Sequence, residues 1–112
     1  MTDERKLDSL YGKTLRFTFM DGAMAGVTYD HVFHQDGTVD FSVFDGVANG
    51  KPTHEKDSAA VKVADGIFVV SYLGASGYTL TVALNLQDHK LVCFASNDKT
   101  WSQQIGTFEV LD

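Results

Sequence analysis

The stretch LRFTFMDG, residues 15–22, places an apolar side chain at every second position and then stops at Asp-Gly. That period sets Leu15, Phe17 and Phe19 on one face of a strand and Arg16 and Thr18 on the other. The Asp-Gly that follows is a turn signal, because Gly accepts positive φ and Asp bonds locally to the backbone.

The same punctuation recurs as Asp-Gly at 36–37, 45–46 and 65–66 and as Asn-Gly at 49–50. Between these turns lie TLRFTFM, VTYDHVFH, VDFSVF, SAAVKV, IFVVSYL, YTLTVALNL, KLVCFAS and IGTFEVL, each rich in Val, Phe, Tyr or Thr. They predict about eight short antiparallel strands at meander spacing. With no helical crossovers, that order points to an all-β, single up-and-down barrel over residues 1–112, a closure that leaves no long apolar edge exposed. Only DERKLDSLYG has a helical pattern, enough for one or two turns before Gly12.

Parity assigns faces within the strands. Tyr29, His31 and Phe33 share one face, as do Val39, Phe41 and Val43. The run IFVVSYL, 67–73, is apolar on both faces, which predicts that something packs outside it; a homodimer through this strand is the expectation. The segment DGVANGKPTHEKD, 45–57, reads as a loop at one barrel mouth, placed where a lid would sit.

Composition narrows the function classes. A formal net charge of −6 with no clustered Lys or Arg argues against nucleic acid and anionic membrane as partners. The charged N-terminus, MTDERKLDSL, lacks the apolar segment of a secretory signal, and IFVVSYLGA is far shorter than the ~20 residues of a membrane-spanning helix. The single cysteine, Cys93, fits a reducing compartment, so a cytoplasmic protein is expected, with Cys93 a buried structural thiol.

No constellation carries an evident chemistry. His31 and His34 are three apart on a strand and face opposite sides, so they cannot share a metal ion, and no metal or cofactor is expected. GASG at 74–77 lacks the helix and Lys-Ser/Thr of a phosphate loop and reads as a hairpin turn. The eight Phe, four Tyr and one Trp are the strongest compositional feature: they either fill a small barrel or line a pocket within it, with Trp101 closing one end.

The segments GKTLRFTFMDG, AGVTYDHVFHQDGTVDF, VSYLGASGYTLTVALNL, FASNDKTW and IGTFEV together resemble the MoaF-like proteins, a calycin-type barrel group, over nearly the whole chain from Leu10 to Val110. The layout is also similar to a shortened phenolic acid decarboxylase, whose barrel holds two tyrosines, an arginine and a glutamate for cofactor-free decarboxylation of hydroxycinnamates. Aligned on that layout, Phe17 and Phe19 take the tyrosine positions, Lys51 the arginine position and Gly74 the glutamate position. The resemblance therefore implies lumen-facing phenylalanines and loss of the decarboxylase donors and acid–base group, with nothing else in the sequence restoring it. Gly74 in place of a glutamate implies a roomier or drier wall there, and the same parity turns Phe68, Val70 and Tyr72 inward.

These readings predict a barrel that binds a small apolar or aromatic molecule, with Phe17, Phe19, Tyr29, Phe41 and Tyr72 as walls and His31 and Lys51 as its polar groups. One alternative is a cofactor-independent lyase or isomerase with His31 as base and Tyr29 or Tyr72 as donor. Another is a filled barrel acting as an interaction module.

Overall fold

The computed structural model describes residues 4–44, 48–74 and 76–111, and of residues 48–51 the backbone alone. The strands are β1 (Thr14–Phe19), β2 (Thr28–Phe33), β3 (Val39–Phe44), β4 (Ala48–Glu55), β5 (Ser58–Ala64), β6 (Ile67–Leu73), β7 (Thr79–Asn85), β8 (Lys90–Ser96) and β9 (Trp101–Val110). They form one antiparallel sheet in the order β4-β3-β2-β1-β9-β8-β7-β6-β5, a nearly closed barrel in which β1 joins the two halves by pairing with both β2 and β9.

Alternating direction around that order sets β4 and β5, the two sheet edges, running the same way. They are successive lengths of one course of chain, separated only by residues 56–57, whose partner changes from β3 to β6. This resolves the expected eight strands into nine. It also corrects the expected loop at 45–57: residues 45–47 lie outside the described residues, and 48–55 form a strand. The cross-strand pairs Phe41–Thr53 and Val39–Glu55 put inward-facing positions opposite one another, and Pro52 is accommodated because β4 has a single partner. Asn49-Gly50, expected to be a turn, lies within β4, next to a register shift between Phe41 and Val43. The expected Asp-Gly turns at 21–22, 36–37 and 65–66 hold, with Gly22, Gly37 and Gly66 at φ of 71°, 91° and 78°, and the one expected at 45–46 lies outside the described residues.

The expected N-terminal helix is only a 3-10 turn, Glu4–Lys6. A helix this short has little to offset its nucleation cost, and the chain beyond it docks on the barrel instead. Gly12 N donates to Phe33 O at 2.6 Å, Phe33 N donates to Lys13 O at 2.9 Å, and Leu10 is fully buried. Tyr11 Oη accepts from Ala60 N at 3.1 Å, capping a donor of the β5 edge.

Leu10 thus seals the barrel end bounded by the turns at 34–38, 65–66 and 86–89, over a core of Leu15, Phe33, Phe68, Leu84, Leu91 and Phe108. Phe68, Val70 and Tyr72 of β6 are buried while Leu73 is 51% exposed and Ile67 and Val69 are half-buried, so among the described residues nothing fully covers the outer face of that strand. Among the described residues no helix is long and apolar enough to cross a membrane.

Candidate functional site

The opposite end of the barrel opens into a cavity of about 470 Å³. Three local structures frame its mouth. After β1, Gly22 turns the chain into a short 3-10 turn, Gly22–Met24, anchored where Asp21 Oδ1 accepts from Ile105 N at 2.7 Å. A Cβ on Gly22 would stand 2.7 Å from Gln103 O, so this close approach needs glycine. The β8–β9 turn is built on Asn97, whose Oδ1 accepts from Thr100 N at 2.7 Å and Thr100 Oγ1 at 3.0 Å. Thr100 in turn meets Tyr78 Oη at 3.1 Å, tying this turn to the β6–β7 turn.

Phe17 and Phe19 of β1, Tyr29 and His31 of β2, Phe41 of β3 and Tyr72 of β6 all contribute to the cavity wall. Core and pocket are therefore one surface: Phe17 and Phe19 are almost fully buried and yet border the open space. Lys51 lies on β4, its side chain outside the described residues. Trp101, expected to close the barrel end, stands at the mouth 66% exposed, with its ring 5.9 Å from that of Phe94. Sequence reasoning missed Met24, Leu80 and Ala95, which complete the wall from strands and turns with no distinguishing motif.

The polar focus is a buried pair 41 residues apart in sequence: His31 Nε2 lies 3.1 Å from Tyr72 Oη. The imidazole is stacked on Phe17 at 4.2 Å and flanked by Phe41 at 5.8 Å. Burial pushes His31 down to about 3, only partly offset by the Asp30 charge, so the ring is neutral at pH 7. Burial likewise raises the Tyr72 phenol well above its ordinary value, with Cys93 and Glu55 adding to the effect. A neutral imidazole and a protonated phenol can share their hydrogen bond in either sense. His31 Nδ1 is buried without a well-formed hydrogen bond, a deficit of about 1–3 kcal/mol that a ligand group could relieve. Cys93 is a free, buried thiol raised by burial.

The wall at Gly74 is neither emptied nor apolar, contrary to the sequence expectation. Glu55 reaches into the barrel from β4, 3% exposed, and its Oε2 stands 3.0 Å from where a Gly74 Cβ would be. This buried carboxylate comes from β4 and sits beside Gly74, and neither residue is among those that line the cavity.

The sequence pattern of the family described as phenolic acid decarboxylase matches residues 7–101. The chain belongs to this family. No curated protein matches it. Among solved structures, a Burkholderia vietnamiensis protein provisionally described as a beta-lactamase superposes with a TM-score of 0.73 at 15% identity, over 91% of this chain and 95% of that one. At that identity the likeness is one of fold.

Proposed function

We propose that this member of the phenolic acid decarboxylase family, of the MoaF-like kind by its segment order, binds a flat apolar or aromatic molecule carrying one hydrogen-bonding group. The carrying observation is the open-ended cavity, walled by Phe17, Phe19, Tyr29 and Phe41 and holding its polarity at the His31–Tyr72 pair. Aromatic rings favour stacked or edge-on partners, and the pair supplies one donor and one acceptor. Phe17 and Phe19 carry no donor for a substrate carboxylate, which argues against hydroxycinnamate decarboxylation. Lys51, on β4, is the cation we assign to the same ligand.

The test is a thermal-shift panel of hydroxycinnamates, phenols, aromatic amines and small apolar metabolites. A saturating ligand at 100 times its Kd adds about 2.7 kcal/mol. The shift should vanish in Ala95→Trp, which fills the cavity while keeping the strand; a shift that survives the filling, or no shift across the panel, defeats the reading.

The second reading, a cofactor-independent lyase or isomerase, is favoured by one observation: the buried Glu55 lies close enough for its charge to act on the Tyr72 phenol of the His31–Tyr72 pair. His31, held neutral far below pH 7, suits polarising or donating a hydrogen bond better than accepting a proton, so Glu55 takes the base role in this version. Turnover of any panel ligand, lost in Glu55→Gln, would establish it.

We also propose a homodimer. The outward positions Val61, Val69, Ala83, Val92 and Ile105 pair in turn across five strands, β5 to β9, as an apolar row on the barrel exterior. Val61 and Ile105 are 56% and 43% exposed in the single chain. Sedimentation of wild type as a dimer and of Val61→Glu as a monomer is the expected result.

A further inference from the structure

On the barrel exterior, near the sealed end, His34, Asp40 and His54 converge. Asp40 of β3 is the direct cross-strand partner of His54 on β4 and of Val32 on β2, and His34 follows two positions after Val32, so all three side chains leave the same outer face. His54 Nδ1 lies 2.5 Å from Asp40 Oδ1 and His34 Nε2 3.2 Å from Asp40 Oδ2. One donor atom from each group falls within 4.8 Å of the other two. His31, three residues before His34, points into the barrel, so the second histidine comes from β4 instead.

From this geometry we propose a surface site for a borderline divalent transition metal, of the Zn²⁺ class, ligated by His34 Nε2, Asp40 and His54 Nδ1. Bonds of about 2.1 Å to imidazole nitrogen and carboxylate oxygen require neighbouring donors about 3–3.5 Å apart, a spacing that these groups reach by opening the short contact and closing the wide one. Two imidazoles with one carboxylate select Zn²⁺, Ni²⁺ or Cu²⁺ over Mg²⁺ or Ca²⁺, which prefer all-oxygen shells. Asp36 adds a second negative charge alongside, its carboxylate held by Thr38 N at 3.0 Å and Thr38 Oγ1 at 2.6 Å. Three protein ligands at a partly exposed position leave the remaining coordination to water, so the ion would also tie the β4 edge to β3 and to the end of β2. The site is separate from the cavity and stands whether or not a ligand is found there.

The experiment is calorimetric titration of the full, chelator-treated chain with Zn²⁺, paired with NMR of the histidine ring nitrogens. One equivalent should bind, with His34 and His54 resonances moving while those of His31 and His89 stay in place. Either His34→Ala or His54→Ala should weaken binding about 10-fold or more and the double variant should abolish it. His89→Ala, which removes only the imidazole paired with Glu4 at 2.9 Å, should leave it unchanged. Because all of these rings are at least partly exposed, the variants should melt with wild type in chelator, keeping a loss of binding distinct from a loss of fold. No binding, binding that survives the double variant, or a response at His89 would reduce the cluster to hydrogen-bonded surface side chains and overturn the proposal.

Discussion

The two ends of this barrel are built from the same alternating strands and reach opposite outcomes. At one end the N-terminal segment lays Leu10 over Leu15, Phe33, Phe68, Leu84 and Phe108, and all of them are shut away from solvent. At the other, rings of similar size (Phe19, Tyr29, Phe41) leave about 470 Å³ open, bounded by short turns. The difference teaches that side-chain size does not by itself decide whether a small barrel is filled. The filled end has a plug; the open end has only turns held by Asn97 and Asp21.

That contrast predicts a gradient of mutational cost. Phe68→Ala at the sealed end should lower unfolding free energy by about 3–5 kcal/mol in a denaturant titration, because the surrounding core cannot collapse into the void. A loss under about 1 kcal/mol would show that the sealed end is as loosely packed as the open one.

Acid should act through the boundary between the ends. His31 titrates near 3 in the fold against 6.5 when unfolded, so between those values the unfolded chain binds the extra proton and stability falls as pH falls. At about 1.4 kcal/mol per pH unit, its share of the loss by pH 5 is about 2 kcal/mol. Above pH 6.5 this contribution is complete. Stability measured from pH 7 to 4 should decline less steeply in His31→Phe, which keeps a ring but takes no proton. Equal slopes would mean that His31 is wetter than its surroundings indicate.

Smaller effects belong to the mouth. Tyr29→Leu, at a half-buried wall position bordering open space, should cost about 1 kcal/mol or less in the same titration. Trp101→Ala should stay within about 0.5 kcal/mol of wild type, while weakening any ligand found in the panel. A Trp101 cost comparable to that of Phe68 would erase the distinction between the ends.

Much of the architecture is legible in the chain's periodicity. Leu15, Phe17 and Phe19 face inward, as do His31 and Phe33, because side chains on a pleated strand alternate whatever lies around them. The site is less legible. β4 was hidden by Gly50, Pro52 and charged residues, which read as loop, because an edge strand needs only one competent face and one partner. With β4 misread, Glu55 and His54 had no place to be.

Alternation, turn dipeptides and the scarcity of helical pattern are local properties, and by themselves they determined an antiparallel meander in which Leu15, Phe17 and Phe19 share one face of their strand and Tyr29, His31 and Phe33 one face of theirs. Closure decided the rest. It brought Tyr72 against His31 and Glu55 into the space beside Gly74, and it set His54 beside Asp40 and His34. These are contacts between strands whose register and curvature depend on the whole sheet, so no short window of sequence contains them.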